Sequence, residues 1–80
     1  MKNDMKEFET SDFGLIVFLS LEFPIIYINR TDPRRAKFMF TETKELNEAI
    51  ADYWSGDAYV SPQKYHIQTK IIKARIYENA

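Results

Sequence analysis
Eighty residues with a formal charge of −1, 45% apolar and 15% aromatic content, and no cysteine define one small domain, residues 1–80. A chain of this size is near the limit at which a core suffices alone, and the missing cysteines exclude a disulfide framework and a thiolate metal site. The near-neutral total also excludes a strongly basic nucleic-acid-binding chain, while the lack of thiols fits a reducing, cytoplasmic setting.

Residues 1–5 carry no pattern and are expected to be frayed or disordered. The first twelve residues, polar and mixed in charge, do not read as a secretory signal. Lys6 to Thr10 alternates charged and apolar residues around Phe8, as a short edge strand does. Thr10-Ser11-Asp12 then supplies cap residues whose oxygens accept from the unpaired amides of a first helical turn.

The densest apolar stretch follows, FGLIVFLSLEFPIIYI over residues 13–28, with Glu22 as its only charge. A membrane-spanning helix needs roughly 20 apolar residues in one run. Here Glu22 and Pro24 divide a shorter one, so no membrane span is expected. The first part reads as a helix from about Asp12 to Glu22, apolar nearly all round and therefore sandwiched or at an interface. Ile25 to Ile28, β-branched and aromatic, reads as a central strand buried on both faces.

Asn29 to Arg35 is a polar connector with Asp32-Pro33 as its turn signal. Ala36 to Thr41 alternates, with Phe38 and Phe40 on one face and Lys37 and Met39 on the other, completing an antiparallel hairpin. Thr41 is then expected to cap a second helix, with Glu42 and Glu45 in its first turn. Leu46, Ala49, Ile50, Tyr53 and Trp54 form its apolar side, and Gly56 ends it. Ser61-Pro62 opens a third helix running to about Tyr77. Ile67, Thr69 and Ile71 alternate as a strand does, yet Gln63, Lys64, Lys70, Lys73, Ala74 and Arg75 favour helix. That helix has two apolar sides, one with Tyr65, Ile72 and Ile76 and another with Ile67, Ile71 and Ala74. It is expected to pack inward and also to meet something else.

Charge is blocky: residues 30–40 carry net +3, 41–58 net −4 and 59–80 net +3. Arg30, Arg34, Arg35 and Lys37 lie on or beside the hairpin loop, where guanidinium forks can meet phosphates. Lys70 and Lys73 share a side of the third helix with His66 and Tyr77, a strip suited to a phosphate backbone. The bland readings are a solvated turn and ordinary lysines snorkelling round an amphipathic helix. His66 is the only histidine and has no partner for metal or acid–base work. Asp32, Glu42 and Lys44 have the order of a minimal Mg²⁺ nuclease, but Glu42 and Lys44 at a helix start have a structural explanation. Trp54, Tyr59 and Tyr77 are candidate interface aromatics.

Phe8-x-Thr10-x-Asp12, Phe38-x-Phe40, Tyr53, Gly56 and Val60-x-Pro62 together resemble a small domain family of unknown function found in phages and bacteria, over about residues 6–77. The family's glycine before the first hairpin strand is replaced here by Glu22-Phe23-Pro24. The resemblance implies no catalytic residues and a setting among mobile elements.

The expectation is an α+β fold, a small antiparallel sheet packed with three helices in the order β-α-β-β-α-α. No enzyme activity, metal or cofactor is expected. The leading function is a nucleic-acid-binding accessory protein contacting DNA or RNA through Arg30, Arg34, Arg35, Lys37, Lys70 and Lys73. The alternative is a protein–protein module, a homodimer or an inhibitor of a host protein. The helix and strand of residues 13–28 have no wet face, which favours some partner, most simply a second copy.

Overall fold
The computed structural model describes residues 6–32 and 34–77, so the expected fraying of residues 1–5 and the conformation of Pro33 lie outside the described residues. The elements run β1 (Glu7–Thr10), α1 (Phe13–Ser20), β2 (Tyr27–Asn29), β3 (Lys37–Thr41), α2 (Lys44–Ser55) and α3 (Pro62–Tyr77). This is the expected α+β order.

Local chemistry sets most boundaries. The carboxylate of Asp12 accepts from the Leu15 amide at 3.0 Å, so α1 starts at Phe13. The helix is two residues shorter at its end than expected, with Leu21 as its last cap and the amides of Glu22 and Phe23 folded back on the Leu19 carbonyl. Thr43, not Thr41, caps α2: its hydroxyl accepts from Leu46 N at 3.0 Å, while Thr41 still belongs to β3 and pairs with Glu7. Thr41 precedes Glu42 and Thr43 lies two residues before Glu45, and the length of the β1–β3 ladder decides between them. Gly56 ends α2 at φ 84°, a left-handed conformation in which any Cβ is strained. Ser61 opens α3, its carbonyl accepting from Tyr65 N at 2.9 Å, with Pro62 in the first position.

The three strands form one antiparallel sheet in the order β1-β3-β2. Phe8, Phe40, Thr10, Phe38 and Ile28 share one face by register, and Glu9, Met39 and Tyr27 share the other. Residues 25–28 therefore do not form a central strand buried on both faces. The strand is Tyr27–Asn29, it lies at the sheet edge, and Ile26 and Tyr27 are 44% and 46% exposed. The reason is topological: α1 carries the chain from β1 on one edge to β2 on the other, and β3 fills the middle between them. Its Phe38, Met39 and Phe40 are buried in succession, the burial expected for residues 25–28.

The core is a single cluster: Leu15, Ile16, Val17 and Leu19 of α1 against Phe38 and Phe40 of the sheet, closed by Leu46 of α2 and Ile72 of α3. It contains no buried polar or charged residue among the described residues. The molecule is flat, 37 × 32 × 17 Å, as a single sheet with one layer of helices requires. Helix α1 is thus sandwiched, as its composition demands, between the sheet and two flanking helices.

Gly14 sits where α1 meets the other two helices. A Cβ there would lie 2.4 Å from Tyr53 Oη and 3.5 Å from Tyr65 Oη, and Tyr65 donates to the Gly14 carbonyl at 3.4 Å. Glycine in a helix interior costs about 1 kcal/mol relative to alanine, and here it admits the tyrosine hydroxyls. Gly14→Ala should lower stability by about 1 kcal/mol in the native background, because the Tyr53 ring must move. In a Tyr53→Phe background the same change should stabilise by about 0.5–1 kcal/mol, measured by urea denaturation. Equal effects in both backgrounds would rule out the proposed clash. Thr43→Ala should cost about 1 kcal/mol through the lost cap, and Thr41→Ala should leave the amide of Leu46 satisfied.

Candidate functional site
The hairpin loop is held by its own polar side chains. Asn29 Oδ1 accepts from Thr31 N at 2.9 Å and from the Thr31 hydroxyl at 2.6 Å, and Asp32 Oδ1 accepts from Arg34 N at 2.9 Å. The Asp32 carbonyl accepts from Arg35 N at 3.1 Å and closes the turn.

Arg30 joins this loop to α3. Its guanidinium donates to the carbonyl oxygens of Ile76, at 3.1 Å, and of Arg75, both in the last turn of the helix. A cation there meets the negative end of the helix dipole. Arg34 and Arg35 then line a small cleft of about 170 Å³ with Ser11, Phe13, Phe38 and Ile76. The loop and the C-terminal turn of α3 therefore form one basic end of the molecule.

The six cations singled out from sequence have separate placements. Arg34 and Arg35 are exposed beside Ile76, and Lys73 is exposed one helical turn before it. Lys70 is exposed a further turn back. Arg30 is occupied as a helix cap. Lys37 lies on the outer sheet face, where its Nζ is 3.6 Å from Glu9 Oε2 in a half-exposed ion pair. Such a pair contributes at most about 1 kcal/mol, but it directs Lys37 along the strand and away from the loop.

The aromatic candidates do not form one patch. Tyr59 precedes α3 and Tyr77 ends it, so roughly 24 Å of helix separates them at 1.5 Å per residue. Both are exposed, as is Trp54. Trp54 meets Tyr53 edge-on with ring centres 5.0 Å apart, and Tyr53 in turn tilts against Phe18 at 5.4 Å. The nuclease-like trio is also dispersed. Asp32 and Glu42 stand beyond opposite ends of β3, and Glu42 Oε2 accepts from the Asn47 amide at 3.1 Å. Among the described residues no group of three His, Cys, Asp or Glu side chains is placed to hold a metal.

Two features were not singled out in the sequence. One is the convergence of Tyr53 and Tyr65 on Gly14, for which the only signal was a glycine inside an apolar helix. The other is a cleft of about 320 Å³ between the end of α1, α2 and the α2–α3 loop. Phe18, Leu21 and Phe23 form its apolar part, and Glu22, Asp52 and Asp57 bring carboxylates to it. The molecule thus has a basic end and an acidic, partly apolar cleft elsewhere on its surface.

These features describe a small α+β domain with exposed charge and exposed apolar surface. The chain belongs to the family described as Domain of unknown function (DUF5659), which matches residues 5–78. No curated protein and no solved structure matches it. Among the described residues no helix is long and apolar enough to cross a membrane.

Burial raises the Tyr53 hydroxyl above its usual value of 10.0, and neighbouring Tyr65 and Asp12 add to the shift. A raised folded-state value means that the stability linked to neutral Tyr53 is present below about pH 10 and is lost as pH rises through the folded value. Tyr27 is also raised, chiefly by the charge of Glu7, but on an exposed edge. The denaturation midpoint should therefore fall above about pH 10, and Tyr53→Phe should flatten that decline while Tyr27→Phe changes it little. The same slope in native and Tyr53→Phe proteins would exclude Tyr53 as the cause.

Proposed function
We propose that the protein is a non-enzymatic accessory protein, of the mobile-element kind implied by its family resemblance, that binds the phosphate backbone of DNA or RNA through its basic end. The observation that carries this reading is the tie between Arg30 and the end of α3. It covers carbonyl oxygens that would repel a phosphate, and it sets Arg34 and Arg35 beside the helix turn that follows Lys73. Arg34 and Arg35 supply planar forks for phosphate oxygens, and Lys73 and Lys70 extend the positive surface along α3. Arg30 is the residue that positions this surface, and Lys37, paired with Glu9, lies apart from it. With few cations and no strongly basic total, binding of this kind is backbone-directed and indifferent to sequence.

Fluorescence anisotropy with a short duplex and a single strand tests the reading. Binding should be measurable at low salt and fall steeply toward moderate salt. Replacing both Arg34 and Arg35 by Ala should flatten the salt slope by about 2. Thermal stability of that variant should match the native protein, since neither guanidinium is buried. No binding to either nucleic acid at low salt would exclude the proposal.

The competing reading, a protein–protein module, is favoured by a different observation. Ile67 and Ile71 are 57% and 47% exposed on α3, on the side away from the buried Ile72.

A further inference from the structure
Helix α3 has a second seam that the fold does not use. Its inward side presents Tyr65, Ile72 and Ile76 to the core cluster. Ile67, Ile71 and Ala74 lie on the opposite side, all exposed, spaced four and then three residues apart. That spacing gives a continuous apolar stripe of the type two helices bury between them. Lys64 and Lys70 flank the stripe and have no side-chain hydrogen bond or ion pair among the described residues.

The charge of the flanks restricts what can cover the stripe. Pairing with α3 of a second copy would bring Lys64 and Lys70 of both copies together, which is unfavourable. The surface required is apolar with carboxylates at its border. The chain carries such a surface itself, in the cleft with Phe18, Leu21 and Phe23 and the carboxylates of Glu22, Asp52 and Asp57. Asp57 accepts from the Ser55 hydroxyl at 3.0 Å, and Glu22 and Asp52 have no side-chain partner among the described residues. At about 320 Å³ the cleft is at the small end for a drug-sized ligand and of a size for side-chain knobs. The stripe of a given molecule cannot reach its own cleft, because the other side of α3 is fastened to the core through Ile72.

The geometry points to self-association in which the Ile67–Ile71 stripe of one copy docks into the acidic apolar cleft of a second copy, with Lys64 and Lys70 meeting Glu22, Asp52 and Asp57. If the contact is made twice across a twofold axis, the product is a closed dimer; if made once, copies add head to tail. Either product uses the same two surfaces. Lys70 belongs to both this contact and the proposed phosphate-binding surface, so the contact is tested without nucleic acid.

Sedimentation equilibrium at low salt should show a mass above that of one chain, returning toward monomer as salt screens the flanking charges. The double variants Lys64→Glu, Lys70→Glu and Glu22→Lys, Asp52→Lys should each be monomeric, with native circular dichroism because all four side chains are exposed. Mixed in equal amounts, the two variants should associate again, since each reversed surface now complements the other. A native protein that stays monomeric at about 1 mM, a concentration that reveals even weak pairing, would overturn the proposal. So would folded variants that fail to associate on mixing. Undiminished self-association of the Lys64→Glu, Lys70→Glu variant would likewise overturn it, because the two lysines would then not be meeting carboxylates in the contact.

Discussion
Burial of α1 is the constraint from which the remaining structure follows. Eight residues, apolar except for Gly14 and Ser20, have no wet side and must be covered on every side. The sheet covers one through Phe38 and Phe40, and Leu46 and Ile72 approach from α2 and α3. A three-stranded sheet with one layer of helices is a small construction meeting that demand, and the 17 Å thickness reflects it. The close approach of Tyr53 and Tyr65 at Gly14 is the tightest point of the same packing, where a methyl group has no room. Because α3 needs only a narrow side to close this core, its other side is left to solvent.

That leftover surface and the charge blocks are what both proposed readings of function rest on. Opposite charges that neighbour one another in sequence do not neutralise one another in space. The basic loop is drawn to the C-terminal end of α3 by Arg30, and three carboxylates collect at the cleft between α1, α2 and the following loop. A neutral total thus conceals two surfaces of opposite sign, and both readings of function, phosphate binding and self-association, arise from that separation. Neither calls on chemistry at a reacting atom.

The candidate site was only partly legible in the sequence, for reasons visible at individual residues. Arg30 and Arg34 are both arginines in one polar connector, and nothing local distinguishes the guanidinium that caps α3 from the one that stays exposed. The distinction depends on a contact 46 residues away along the chain. Lys37 lies three residues from Arg34, but strand geometry turns it to Glu9 on the outer face. The acidic cleft draws Glu22, Asp52 and Asp57 from three segments, so no spacing rule could find it.

Local sequence determined the element order, the caps at Asp12 and Ser61, the stop at Gly56 and the inward side of α2, because hydrogen-bonding side chains and apolar periodicity act within a few residues. It also identified the two apolar sides of α3. Tertiary structure alone decided which strand is central. Residues 25–28 are the more apolar candidate, but β3 is the strand that both β1 and β2 can reach, and burial follows the number of neighbours as much as hydrophobicity. The cap of α2 moved from Thr41 to Thr43 for the same reason: pairing with Glu7 of β1 keeps Thr41 in the ladder, and β1 lies far earlier in the chain. Long-range pairing overrode a local preference wherever two nearby residues offered nearly the same local energy.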